Sequence, residues 1–245
     1  MNAAKHIGII ACSAEGAALC YRTIAQAGEQ FMGEYAHPWV TLHSIPMAEW
    51  MPAFNAGDFR AVGEFMLESA RVVADSGADF AIRPDNSCHL SWPHFIERSP
   101  LPWLHIGEVV AVEARRHGWK KAGLLGTRFT MTGPMYSDVF RKRSMEVLAP
   151  SAEDQKTVDE VIWRELVHGD FPESSRIRYN EVIARLRARG CDCVILGCTE
   201  IPLLVKSDDC PLPTLDSTRL LAVAAVKHAI GLDETKTISG SAAAR

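Results

Sequence analysis

The sequence predicts an α/β protein made of two pseudo-symmetric three-layer αβα domains, each with a parallel sheet, and an active-site cleft between them. Three observations carry this expectation. Strand-like and helix-like segments alternate along the chain. The apolar strand segments end in small polar residues, as buried parallel strands do where they reach a loop. The chain also repeats itself. Gly77-Ala-Asp-Phe-Ala-Ile-Arg-Pro-Asp85-Asn-Ser87 matches Gly190-Cys-Asp-Cys-Val-Ile-Leu-Gly-Cys198-Thr-Glu200 at an offset of 113 residues. His6-Ile-Gly-Ile-Ile-Ala-Cys-Ser13 matches Lys121-Ala-Gly-Leu-Leu-Gly-Thr-Arg128 at an offset of 115. Pro100-Leu-Pro-Trp-Leu104 matches Pro211-Leu-Pro-Thr-Leu215 at 111. A Gly-x-Asp phrase before a strand is common in α/β units. Pro-Leu-Pro recurring in step with it is not.

Each element follows from its pattern. The apolar run 7–12 is the first strand. Residues 58–75 carry Val62, Phe65, Met66, Ala70 and Val73 at helical spacing, and Gly77 stops that helix. Residues 174–189 repeat the pattern with Ile177, Tyr179, Val182, Ile183 and Leu186, stopped by Gly190. The strand 213–215 and helix 217–230 are expected to return to the first domain. They mirror 103–106 and the helix after it, which are expected to open the second. The domains would then be 1–101 plus 212–245, and 102–211. The tail 233–245 is polar, rich in small residues and expected to fray.

Composition excludes several classes of function. The 245 residues carry 26 Lys+Arg against 30 Asp+Glu, a formal charge of −4, with 47 % hydrophobic and 23 % charged residues. Such values describe a folded globular chain and give no electrostatic footprint for nucleic acid. No apolar run approaches the roughly 20 residues that span a bilayer, and no signal peptide is evident. The expectation is a cytoplasmic protein without membrane or nucleic-acid partners. Seven cysteines are an odd number. Without a secretory signal they do not form a disulfide framework. Cys191-Asp-Cys193 lacks the spacing of a zinc pair, so no metal site is expected. Most of the thiols, Cys12 among them, read as small packing residues.

Ligands of open parallel sheets bind at the carboxyl ends of the strands. The repeat puts Asp85 and Cys198 at equivalent positions, each eight residues beyond its glycine. Two such domains facing each other would set these groups on opposite sides of one molecule. That arrangement suits removal of a proton from one face of a carbon and its return to the other. Asn86, Ser87, Thr127, Thr199 and Ser13 present short polar side chains at strand ends, suited to a carboxylate. Glu200 is a charge-assisted partner or a neighbour of a helix cap. Taken alone, Asp85-Asn86-Ser87 also reads as a turn followed by a cap. His89 is either hydrogen-bonded structure or support for the site.

Gly197-Cys198-Thr199-Glu200-Ile201, with Asn86-Ser87-Cys88-His89 upstream, resembles the aspartate/glutamate racemase family. Segments 104–106, 124–131, 179–186 and 197–205 resemble the same regions of its bacterial members, and the likeness runs from Lys5 to Ile230. The resemblance implies no cofactor, a homodimer, an amino-acid or small carboxylic-acid substrate, and two thiol bases, one per domain. The second-domain thiol carries over as Cys198. At the first-domain position stands Asp85 or, with a one-residue shift, Pro84. Cys88 falls on the spacer position. Relatives place polar or cationic residues toward a substrate side-chain carboxylate. Here that loop reads Met51-Pro52-Ala53-Phe54-Asn55, and Lys156 stands near the start of the helix that often supplies a second cation.

The leading expectation is therefore cofactor-independent racemisation or epimerisation of an amino acid, with Cys198 and Asp85 as acid/base groups. Asn86, Ser87, Thr127, Thr199, Ser13, Phe54 and Lys156 would bind substrate, with Glu200 and His89 behind them. A single-cysteine decarboxylase of malonate-type acids and a non-catalytic amino-acid-binding module are the alternatives.

Overall fold

A computed structural model describes residues 4–232. The tail expected to fray, 233–245, lies outside the described residues. The first half runs β1 (Ile7–Ile10), α1 (Ala14–Met32), β2 (Val40–His43), α2 (Met47–Asn55), α3 (Phe59–Asp75), β3 (Phe80–Ile82) and the short α4 (Trp92–Phe95). Helix α5 (Ile106–Arg116) leads into β4 (Lys121–Gly126), α6 (Arg128–Thr132), α7 (Pro134–Arg141) and β5 (Glu146–Leu148). Then follow α8 (Ala152–Arg164), α9 (Glu173–Ala188), β6 (Cys193–Gly197), α10 (Ile201–Leu204), β7 (Thr214–Asp216) and α11 (Ser217–Ala229).

Two parallel sheets result, with strand orders β2-β1-β3 and β5-β4-β6-β7. Helices cover both faces. Ile7 and Ile9 pack with Ile24 of α1 and Leu221 of α11, while Ile10 packs with Val62, Met66 and Val73 of α3. In the second half one cluster joins the strands to Ala111 of α5, Phe140 of α7, Ile162 of α8 and Leu186 of α9. Among the described residues no helix is long and apolar enough to cross a membrane.

The repeat is present down to hydrogen-bond register. Ile7 pairs with Phe80 in the first sheet, and Ala122 with Cys193 in the second. The Gly-x-Asp phrase has a structural cause: Asp79 accepts from the His6 amide at 2.6 Å, and Asp192 from the Lys121 amide at 2.9 Å. Each carboxylate thus ties down the start of the neighbouring strand. The glycine before it turns the chain with positive φ, +89° at Gly77 and +85° at Gly190. Strand glycines match too. A Cβ on Gly8 would stand 2.8 Å from Val73 Cγ2, and one on Gly123 2.9 Å from Leu186 Cδ1. At both places a bare backbone lets a helix close onto the sheet.

The Pro-Leu-Pro segments also behave alike, and here the structure corrects the expected swap of strands. The Ala81 amide donates to Pro102 O at 2.9 Å, and Val194 to Pro213 O at 2.9 Å. Trp103 therefore bridges to Ala81 and extends the first sheet, while β7 pairs with β6 in the second. Each segment closes the sheet of its own half, because the hydrogen bonds available to it come from the adjacent strand. Only the helices cross over. Helix α11 packs on the first sheet, beside Ile7 and Phe80. Helix α5 reaches both halves, with Val109 in the first-half core and Val110 and Ala111 in the second.

Candidate active site

The strand ends of both halves open on one small cavity. Its lining includes Cys12, Ser13, Asp85 and Ser87 from the first half, and Thr127, Cys198, Thr199 and Glu200 from the second. The rest is apolar: Met47, Trp50 and Phe54 of α2, Ile162 and Trp163 of α8, and Val167 just beyond it. Phe54 contacts Trp50 at 5.9 Å and Trp163 at 6.3 Å between ring centroids, so this wall crosses from one half to the other.

On the second-half side, Cys198 follows the end of β6 and is partly exposed. Its thiol donates to Glu200 Oε2 at 3.0 Å, which also accepts from Thr199 Oγ1 at 2.7 Å. Glu200 is 2 % exposed, and its other oxygen, Oε1, has no hydrogen-bond partner among the described residues. Burial, followed by the Glu200 carboxylate, pushes the Cys198 thiol well above its ordinary 9.0. The resting group is a neutral thiol.

On the first-half side, Asp85 is held on both oxygens. Oδ1 accepts from the Cys88 amide at 2.7 Å, and Oδ2 from the Cys12 thiol at 3.1 Å. Beneath them lies the buried Arg83. Its guanidinium donates to Ala11 O at 3.1 Å and Cys88 Sγ at 3.2 Å, and stands 5.6 Å from the Trp50 ring centre. Cys12, Asp85 and Cys88 place two sulfurs and a carboxylate oxygen within 4.8 Å of one another. The Arg83 guanidinium on Cys88 supplies the positive charge of this cluster. A hydrogen bond to Cys88 and burial raise the Cys12 thiol well above 9.0.

Cys198, Asp85, Ser87, Thr127, Thr199, Ser13, Phe54 and Glu200 thus come together on the cavity. Ser13 caps α1 and reaches Thr199 Oγ1 at 3.4 Å across the halves, while Ser87 reaches Thr127 at 2.7 Å. Gly16 permits the first of these contacts, since a Cβ there would stand 2.5 Å from Thr199. Three expected residues stand elsewhere. Lys156 is exposed on α8 and is no part of the lining, because its position faces solvent rather than the side carrying Ile162. Asn86 is buried as a brace between the halves: it donates to Ser217 at 3.1 Å and accepts from Tyr136 at 2.5 Å. His89 is buried behind the cavity, its Nδ1 2.6 Å from Asp85 O. Burial holds its ring neutral, pushing it well below 6.5, so Nδ1 donates and fixes the turn that carries Asp85.

The sequence reading takes Cys12 as a packing residue and passes over Arg83, Trp50 and Trp163. For Cys12 and Arg83 a signal existed. Each ends a buried strand in the repeat, where the chain turns into the cleft.

The profile of the family described as Asp/Glu/Hydantoin racemase matches residues 7–225. The chain is 32 % identical to a crystal structure of a candidate Asp/Glu racemase from Yersinia pestis, with TM-score 0.83, covering 92 % of this chain and 99 % of that one. It is 26 % identical to an aspartate racemase homologue from Pyrococcus horikoshii, with TM-score 0.79 and the same coverage, 92 % and 99 %. It is also 23 % identical over 190 residues to the broad specificity amino-acid racemase RacX of Bacillus subtilis, covering 78 % of this chain and 81 % of that protein.

Proposed function

This chain belongs to the Asp/Glu/Hydantoin racemase family, and from that premise we propose that it racemises or epimerises an α-amino acid without a cofactor. One observation carries the reading: Cys198 and Asp85, equivalent in the repeat, end strands of opposite halves on the same cavity. Cys198 serves one face of Cα and the Asp85 end of β3 serves the other. Ser13, Ser87, Thr127 and Thr199 offer hydroxyls to the α-carboxylate, and Asp85 and Glu200 offer charge to the ammonium. Cα–H is a very weak acid. The aromatic wall excludes water, so the positioned donors act on the developing carbanion at low dielectric.

The lining also speaks to the substrate side chain. Among the described residues six apolar side chains face it and no Lys or Arg does. A second carboxylate would be desolvated there beside two fixed carboxylates. The substrate is therefore a monocarboxylic amino acid with an apolar side chain. The same repulsion counts against decarboxylation of a malonate-type diacid. The proposal includes a cytoplasmic setting, in keeping with seven free thiols. It also includes a homodimer, for which exposed Phe31, Met32, Tyr35 and Trp39 provide apolar surface.

Proton NMR in deuterated water, across D- and L-amino acids, tests the reading. Loss of the α-proton from apolar substrates, abolished for one enantiomer by Cys198→Ala, is expected. Retention of the α-proton by every amino acid in the parent would overturn it.

A further inference from the structure

Resting on the racemase reading, we propose that Cys12 is the first-half acid/base that meets the substrate Cα–H, with Asp85 as its internal proton acceptor. Nothing in the family motif marks Cys12, which leaves β1 rather than β3. The inference comes from a comparison of two pairs. In the second half a thiol, Cys198, donates to a carboxylate, Glu200, at 3.0 Å. In the first half a thiol, Cys12, donates to a carboxylate, Asp85, at 3.1 Å. Both pairs line one cavity. Each half therefore has a thiol and a carboxylate, but in the first half it is the carboxylate that follows β3, the strand equivalent to β6.

The hydrogen bonds at Asp85 decide which member faces the reaction. Oδ1 is occupied by the Cys88 amide and Oδ2 by the Cys12 thiol. To take a proton from substrate directly, Asp85 would have to give up one of these donors. Cys12 has a simpler route. Its proton passes to Asp85 Oδ2, and the thiolate removes the α-proton. Cys198 then gives its thiol proton to the opposite face of the carbanion. Afterwards Asp85 releases its proton to solvent and the Cys198 thiolate regains one, so no net charge or proton remains. The opposite enantiomer runs the sequence in reverse. The buried Arg83 guanidinium, 3.2 Å from Cys88 Sγ, offsets part of the cost of a thiolate at neighbouring Cys12.

The test follows α-proton exchange of each enantiomer of an apolar amino acid by NMR in deuterated water. Cys12→Ser should slow exchange of one enantiomer at least 100-fold. Exchange of the other, which Cys198 deprotonates, should stay within a few-fold and so report an intact fold. Asp85→Asn should slow the same enantiomer, and its rate should recover with rising pH as the Cys12 thiol ionises to bulk water. Exchange of both enantiomers within threefold of the parent in Cys12→Ser would overturn the role of Cys12 while leaving the racemase reading intact. So would a pH-independent loss in Asp85→Asn. A parent that exchanges no amino acid would overturn the racemase reading instead.

Discussion

The two halves agree in backbone and differ in chemistry. Ile7–Phe80 and Ala122–Cys193 are the same strand pairing, and the Gly8–Val73 and Gly123–Leu186 contacts are the same helix seating. At the strand tips the likeness stops. The first half ends in Cys12, Arg83, Asp85 and Cys88, a network with a buried cation. The second ends in Cys198, Thr199 and Glu200, where, among the described residues, one carboxylate oxygen has no partner and no cation makes a hydrogen bond. The lesson is that the repeat builds a cradle with two equivalent faces, and the side chains then make those faces unequal. A near-symmetric substrate carbon needs the first property. A difference between the two directions of reaction follows from the second.

The largest effect expected from breaking this comparison is at Cys198. Cys198→Ala should lower racemisation by about 10³-fold, because acid/base groups contribute on that scale. Circular dichroism of the substrate would read it. Unchanged turnover would mean that the second-half pair is structural.

Next comes pH. Burial pushes His105 down to about 4 from 6.5. In the unfolded chain this ring takes up a proton near 6.5, whereas in the folded protein it does not until about 4. Stability is thus complete above 6.5 and falls as pH drops through that window. A shift of this size corresponds to about 3 kcal/mol at pH 4, and His89 adds in the same direction. His105 also caps α5, accepting from Gly107 N at 3.1 Å. His105→Asn keeps a capping oxygen and should flatten the acid limb of Tm against pH. An unchanged acid limb would show that other groups set it.

The glycine pair sharpens the backbone side of the comparison. Gly8→Ala and Gly123→Ala should each destabilise by about 1–3 kcal/mol, since overpacking at a close helix contact costs on that order. Urea unfolding of both variants measures it. A loss confined to one would show that the halves are seated differently.

The smallest effect concerns selectivity. Met47 is partly exposed on the apolar wall. Met47→Arg should shift the ratio of kcat/KM for acidic over apolar amino acids toward the acidic by about tenfold, the effect of one charged contact of about 1.4 kcal/mol. No shift would place the side-chain pocket elsewhere.

Much of this molecule was legible in its sequence, for identifiable reasons. Buried parallel strands and their stop glycines leave periodic patterns, so the repeat, the helices ending before Gly77 and Gly190, and the equivalence of Asp85 with Cys198 could all be read. Three features depended on contacts that residue order does not carry. The pairing of β7 with β6 rests on the Pro213 carbonyl meeting Val194. The separation of Asn86 from the cavity rests on Ser217, 131 residues away. The approach of Cys12 to Asp85 spans 73 residues. Lys156 shows the reverse limit, because a residue near the right helix start can still face solvent.

The central claim is that two proton-transferring groups stand on opposite sides of one substrate carbon. The most direct measurement is the isotopic fate of a single enantiomer during its first turnovers in deuterated water. The two-base account predicts deuterium at Cα in the product while the remaining substrate keeps its proton, starting from either enantiomer. Retention of the substrate's own proton in the product, or equal deuteration of substrate and product from the outset, would contradict it.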